Sequence, residues 1–427
     1  MKKNNLISSF PKYLLFICEN VQEISALAPI AREIEKCSRG LIQTEFASED
    51  AFYCQGVDDA LLREGVKIVS LPYPTHLSKP FHLNSSFKKW KTLFSTNRKI
   101  APVMQHYDGL VCGVDSGPAK MLIASAHKLG KPTFQIVISL YLGEEAERRA
   151  LKDFLLSKSK YLLKAAAGKL FGADFLVLPN SLASSGCDRI FVMGKRIKEA
   201  LMRKGIPEGK ILNYGIPRFA PLFRLRGESK LSFLRGESFN ILYITASCIS
   251  HGKITQHHLQ QNQLHQIVQY FSRDRTKRYK ITVKIHPRER KEYYDWLKNY
   301  KDTVEVLDGK ADLYKAILNS HLVITIFSTV SYEAVLLKRP VILAKFPPSN
   351  MLTYEPLDRD FQLAQSLEEL VGFIENCNQN TNELVRIIEK EKSNIFEVIN
   401  PRTPESASLI AKQICNETVK IAKDRNL

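Results

Sequence analysis

KITVKIHPRE, residues 280–289, and HLVITIFSTVSYEAVLLKRPVILAKF, residues 321–346, are the stretches whose reading decides the fold. In the first, a β-rich run ends at His286-Pro287. Proline has no amide hydrogen to give a central strand, so the imidazole belongs at the strand's carboxyl end. In the second, a buried-type strand meets Ser328-Thr329-Val330-Ser331, a helix is expected over residues 332–337, and VILAKF reads as the next strand. Hydroxyls and open amides at a helix start favour an anion. Open α/β sheets bind ligands at the carboxyl ends of their parallel strands. The pair therefore reads as a nucleotide-phosphate site in which a histidine and a helix N-terminus neutralise a diphosphate. Taken singly, Pro287 only ends a strand, His286 is a loop histidine, and Ser328 and Thr329 cap a helix. The conjunction favours the site.

Outward from these stretches the same alternation recurs. Ahead of them run FNILYITAS (239–247) and a helix over 256–272; between them come a helix over 289–299, VEVL (304–307) and a helix over 311–319. The N-terminal half shows YLLFIC (13–18), a helix over 25–37, LIQTEFA (41–47), a helix over 49–65 and VKIVSL (66–71). After a basic, polar stretch it resumes with GLVCGV (109–114), a helix over 118–129, TFQIVIS (133–139), short strands at 175–178 and 189–192, and a helix over 195–204. Alternation of this kind predicts parallel sheets with helices on both faces. Residues 219–238 break the period, are rich in arginine and contain LRGES twice, as a linker with a tolerated insertion would. The expected fold class is α/β, with two Rossmann-like, doubly wound domains at 1–218 and 239–403. An amphipathic helix within 404–427 is expected to pack back on the first.

A chain of 427 residues can bury two such cores, and fractions of 44% hydrophobic and 25% charged suit a soluble globular protein. No apolar run reaches the roughly 18 residues of a membrane helix, so the expected location is cytoplasmic. The eight cysteines are scattered, without CxxC or ligand spacing to histidine, and read as reduced structural residues. A net charge of +18 implies an anionic partner, although each basic run alone, such as 88–91, 195–198 or 273–280, is explained by a solvated face. No RNP, KH or zinc motif is present, so nucleic acid is not the expected partner.

Two Rossmann-like halves with the nucleotide in the second resemble the GT-B glycosyltransferase superfamily. CDRIFVMGKRIKEALMRKGIPEGKILNYGIPRF (187–219) resembles the end of a GT-B N-terminal domain. KIHPRE and STVSYEAVLLKRPVIL resemble the His-Pro and Ser-Ser/Thr motifs of bacterial sialyltransferases, Kdo-transferases and CDP-glycerol glycerophosphotransferases. EISALAPIAREIEK (23–36) and DGLVCGVDSGPAKMLIASAHKLGKPTF (108–134) resemble the UDP-N-acetylglucosamine 2-epimerase branch. The chain departs from these patterns in its first loop, residues 19–23, which lacks glycines, and in having no acidic-acidic-Gly motif.

The resemblance implies a GT-B fold whose domains face a central crevice. It implies that His286 contacts the donor phosphates, that Ser328, Thr329 and the amides of Val330 and Ser331 surround the same oxygens, and that Glu333 holds the ribose hydroxyls. The loop after FNILYITAS, with Ser247, His251 and Gly252, would touch the donor. Asp115, at a strand end in GVDSG, is the first candidate for the catalytic base, with Glu23 and then Glu19 behind it; His286 shares the catalytic role by steadying the departing phosphate. His257, His258 and His265 read as polar faces of a helix. Residues 75–98 interleave Lys88, Lys89, Lys91 and Arg98 with Phe81, Phe87, Trp90 and Phe94, which suits an anionic glycan or lipid-linked acceptor and an anionic membrane surface. The implied activity is transfer of a sugar or sugar-like group from a nucleotide-activated donor to a polysaccharide of the capsule or cell envelope or to a lipid-linked acceptor. Inverting chemistry is expected, with no cofactor and, without a DxD motif beside the site, no metal; the enzyme would sit in the cytoplasm or on the inner face of the membrane. A UDP-sugar 2-epimerase-like enzyme and a non-enzymatic polyanion binder are the alternatives.

Overall fold

The computed structural model describes residues 11–18, 21–48, 57–71, 95–113, 117–138, 186–228, 238–249, 254–274, 278–347 and 355–425. The chain forms two compact units. The first takes the chain as far as Ala220 and again from Glu397, and the second is Pro221–Phe396.

In the first unit, strands β1 (Lys12–Cys18), β2 (Ile42–Ser48), β3 (Ile68–Val69), β4 (Gly109–Cys112), β5 (Thr133–Val137), β6 (Arg189–Val192) and β7 (Ile211–Asn213) form one sheet in the order β3-β2-β1-β4-β5-β6-β7. All its pairings are parallel. Strands covered on both faces need apolar residues throughout rather than alternation, and Leu14 to Cys18 are buried without a break. Helices α1 (Val21–Cys37), α2 (Val57–Arg63), α3 (Gly117–Lys128) and α4 (Lys195–Arg203) connect these strands.

The second unit is built the same way from β8 (Phe239–Ile244), β9 (Tyr279–Lys284), β10 (Val304–Leu307), β11 (Leu322–Thr325), β12 (Val341–Ala344) and β13 (Gln362–Ala364), in the order β10-β9-β8-β11-β12-β13. After α5 (Ala220–Glu228) its helices are α6 (Ile254–Ser272), α7 (Leu313–Leu318), α8 (Val330–Leu336), α9 (Glu355–Asp360), α10 (Leu367–Gln379) and α11 (Thr381–Val398). Phe239, Ile241, Tyr243, Ile281, Val283 and Ile324 point into one core with Leu264, Ile267, Val268 and Phe271 of α6. In both sheets the strand order reverses at one place, between β1 and β4 and between β8 and β11. Such a reversal opens a ligand site at the strands' carboxyl ends.

Both halves are the doubly wound parallel sheets that the alternation predicts. Two readings change. The expected linker carries α5, whose Leu222 is fully buried. Residues 291–300 wind as a 3₁₀ helix rather than an α-helix. The edge strands β7 and β13, of three residues each, are too short to show a period. The last helix, α12 (Ser406–Arg425), lies on α1 of the first unit. The sulfurs of Cys37 and Cys415 are 3.1 Å apart, Lys12 Nζ donates to the Thr418 carbonyl (3.1 Å), and Arg189 pairs with Glu417 at 2.5 Å. The seven described cysteines are free thiols, and no described helix is long and apolar enough to cross a membrane.

Candidate functional site

In the second unit three strands deliver the motif residues to one edge. Beyond β9, Ile285 is buried and His286 half-buried. The turn is held from below by Lys284, 4% exposed, whose Nζ donates to the carbonyls of Ile285 (3.1 Å), Asp308 (2.8 Å) and Gly309 (3.1 Å). Burial pulls that ammonium below its ordinary pKa. Residue 309 must be glycine, because a Cβ there would stand 2.7 Å from the Pro287 Cα. The loops after β9 and β10 are thus locked together under Pro287.

The His286 amide donates to Thr245 Oγ1 at 2.8 Å, and the imidazole Nδ1 accepts the Arg288 amide at 3.1 Å. A ring nitrogen that accepts carries no proton. The hydrogen-bond pattern therefore assigns the neutral ring's proton to Nε2, an N–H donor suited to a phosphate oxygen. Next to β9, β8 runs on into Thr245, Ala246 and Ser247, all buried. On the other side of β8, β11 leads through Ile326 to Ser328, half-buried, and Thr329, exposed.

Here the geometry refines the expectation. The Val330 amide donates to Ser328 Oγ (3.3 Å) and the Ser331 amide to the Ser328 carbonyl (3.1 Å), so both are turned to Ser328. Thr329 occupies the cap position and makes no side-chain cap bond. Ser331 is fully buried, and its hydroxyl has no partner among the described residues. Glu333 is 2% exposed, which rules out a surface acid at that position. Beside these groups, the row of strand ends continues at β12 with Lys345, buried and paired with Asp358; burial lowers its pKa while Asp358 opposes the shift. Tyr332 Oη donates to Asp360 Oδ2 at 2.7 Å.

In the first unit Glu23 is fully buried in the first turn of α1 and lies against Gly113, just past β4; a Cβ on Gly113 would be 2.7 Å from its carboxyl group. Glu23 thus sits at the β1/β4 reversal. Asp115, His251, Gly252 and Glu19 lie outside the described residues, as do 75–94 of the proposed acceptor segment and the strand at 175–178. His257, expected on a polar face, is instead 5% exposed and 3.3 Å from Glu289, whereas His258 and His265 are exposed. Among the described residues no three His, Cys, Asp or Glu side chains converge as metal ligands. The basic runs are partly paired, Lys198 with Glu208 and Arg278 with Asp274.

Sequence reasoning missed Thr245, Lys284, Gly309 and Lys345. A signal existed for the two lysines: each stands at the end of a buried strand, where a charge needs a partner. Gly309 carries none, since its role depends on a loop folding under Pro287.

The family model described as CDP-Glycerol:Poly(glycerophosphate) glycerophosphotransferase matches residues 181–405. No curated protein matches the chain. Among solved structures, the UDP-GlcNAc 2-epimerase from Neisseria meningitidis bound to UDP-GlcNAc is similar, with a TM-score of 0.58 and 14% identity over 95% of this chain and 100% of that one. The glycotransferase of kitacinnamycin gives a TM-score of 0.59 and 14% identity over 95% and 99%. The UDP-GlcNAc 2-epimerase of Methanocaldococcus jannaschii, in complex with UDP-GlcNAc and UDP, gives 0.55 and 15% over 95% and 99%. At these identities the likeness carries the fold, which is the GT-B arrangement.

Proposed function

The chain belongs to the CDP-glycerol:poly(glycerophosphate) glycerophosphotransferase family, and from that premise we propose that it transfers a glycerophosphoryl or glycosyl group from a nucleotide-diphosphate donor to a hydroxyl of a surface polymer or lipid-linked acceptor. The observation that carries this reading is the conjunction at the β8/β11 reversal: His286, with its proton assigned to Nε2, beside the strand ends that bear Ser247 and Ser328.

The chemistry asks the same of these groups for either transferred group. If glycerophosphate moves, the acceptor oxygen attacks the β-phosphorus and a nucleoside monophosphate departs. If a glycosyl group moves, attack falls on the anomeric carbon and a nucleoside diphosphate departs. In both cases negative charge grows on the departing phosphate, and preorganised donors aimed at that charge lower the barrier. His286 Nε2–H, Ser328 and Thr329 supply them, Glu333 holds the ribose hydroxyls, and Asp115, or failing it Glu23, takes the acceptor proton. The displacement is single and inverting and needs no divalent metal. Residues 75–98 meet an anionic acceptor or the membrane surface on which it is presented.

Thermal-shift titration with CMP, CDP, UDP, GDP and ADP tests the donor site. A nucleotide at 100 times its dissociation constant stabilises by about 2.7 kcal/mol, and this gain is expected to shrink markedly in His286→Ala and Glu333→Ala. No shift with any nucleotide removes the reading. Full loss of turnover in EDTA contradicts metal independence, and conversion of a UDP-sugar without acceptor favours the epimerase alternative.

A further inference from the structure

The turn that carries His286 is closed by side chains that no sheet or helix requires. The His286 amide donates to Thr245 Oγ1 (2.8 Å). The Tyr294 hydroxyl donates to Glu289 Oε2, and the Glu289 amide donates to the His286 carbonyl (2.9 Å). Gln260 closes the ring: its Nε2 donates to Tyr294 Oη (3.2 Å) while its Oε1 accepts the amide of Ala246 (2.6 Å), which follows Thr245 and precedes Ser247 in the chain. The second Glu289 oxygen faces His257 Nδ1 at 3.3 Å.

The Glu289 side chain is 0% exposed and that of His257 7%. A buried carboxylate is a poor way to gain stability, since apolar residues of similar volume often serve as well or better. What it does supply is direction. A carboxylate only accepts, so Tyr294 has to donate to it. Burial, reinforced by Glu289, pushes the Tyr294 phenol well above its ordinary pKa and keeps that proton in place. The Tyr294 oxygen is then open to Gln260 Nε2, and the Gln260 carbonyl takes the Ala246 amide next to Thr245, whose hydroxyl oxygen accepts the His286 amide. One hydrogen-bond order is left, and with it one conformation of the turn.

We propose that Glu289 is the positioning residue of the donor site: its carboxylate fixes the direction of this ring and so presents His286 Nε2–H to the donor's phosphate. The inference rests on the donor-site reading above.

The test is calorimetric titration with CDP of the full-length protein and of Glu289→Gln, Tyr294→Phe, His286→Ala and the double variant Glu289→Gln/His286→Ala, with melting temperatures alongside. Glu289→Gln is expected to raise the CDP dissociation constant about tenfold, as loss of a group that orients a ligand-binding side chain does, and by less than twofold once His286 is absent. Equal weakening in both backgrounds, or none in the first, overturns the inference while leaving the donor site standing. Absence of CDP binding by the unaltered protein overturns both. Should Glu289→Gln fail to fold, the ¹⁵N shifts of His286 in the free protein decide. They are expected to report the Nε2–H tautomer in the unaltered chain and a tautomer mixture in Tyr294→Phe; an unchanged tautomer in Tyr294→Phe overturns the inference.

Discussion

The two sheets reverse their strand order in the same way, yet their reversal points are furnished differently. At β8/β11 the described strand ends carry an imidazole, hydroxyls, a lysine-aspartate pair and a buried glutamate, tied together by side-chain hydrogen bonds. At β1/β4 the polar side chain described is Glu23, buried against Gly113. The fold offers two equivalent places for a ligand. Which of them suits an anion is decided by what the strands end in, and among the described residues only the second ends in donors.

The largest effect should come from His286. Its replacement by alanine is expected to lower kcat/KM about 10²- to 10³-fold, the usual consequence of removing one donor aimed at developing charge. The melting temperature should stay within a few degrees, because the ring is half-buried. A loss of under threefold would place the anion elsewhere and erase the contrast between the two reversal points.

Next in size is Lys284, which supports the turn without touching a ligand. Lys284→Met leaves three carbonyls, one buried and two partly buried, without their charged donor. At the usual worth of hydrogen bonds to charged groups this should cost about 3 kcal/mol, read by urea unfolding. Gly309→Ala, which forces a Cβ against Pro287, should cost about 2 kcal/mol and weaken nucleotide binding too. Binding unchanged in Gly309→Ala would mean that the two loops are not locked in the way their contacts imply.

The strand-end motifs were legible because their residues break local rules in ways chemistry explains: a proline stops a β-rich run, and a hydroxyl cluster separates a buried strand from a helix. The support beneath them was not. Arg288-Glu289 after a proline reads as a solvated turn, and only the approach of α6 and of Tyr294 buries Glu289. His257 was misread for the same reason, since the buried face of its helix is polar towards the N-terminus, where His257, Gln260 and Gln263 lie beneath neighbouring elements. The boundary between the units falls inside the expected linker, but its helix was hidden because Pro221, Gly227 and a repeated LRGES mask Leu222, whose burial comes from tertiary packing, as does the stacking of Arg226 over Phe396 at 5.4 Å. Residues 355–396, which complete the second unit, carry no motif.

Glu391 provides a smaller effect with a definite sign. Burial holds its carboxyl well above the ordinary pKa, opposed by the Val341 and Gln362 amides. A raised acid pKa means that stability is fully present below the unfolded value of 4.5 and is lost as pH rises towards the folded one. Glu391→Gln, which cannot ionise, should therefore leave stability unchanged near pH 4.5 and raise it by about 1 kcal/mol at pH 8. A loss at pH 8 would show that the charged carboxylate is held by the amides after all.

The smallest effect compares one histidine from each unit. His321, at the start of β11, accepts the Asn240 amide on Nδ1 (2.8 Å), and its pKa falls from 6.5 to about 4 through burial and the nearby Arg339. His127, at the end of α3, is lowered by burial as well, but the Asp188 carboxylate at 4.0 Å pulls it back. Both are groups that the folded state keeps neutral, so below pH 6.5 the unfolded chain takes up protons that the folded one refuses, and stability falls as pH drops towards the folded pKa. Because each ring is partly open to solvent, the loss at His321 should be about 1–2 kcal/mol once screening is allowed for, and at His127 less. Urea unfolding of His321→Gln and His127→Gln at pH 7 and pH 4.5 separates them: the first variant should lose markedly less stability on acidification than the unaltered protein, the second only slightly less. If His127→Gln gave the larger relief, the contrast between a histidine facing an arginine and one facing an aspartate would fail.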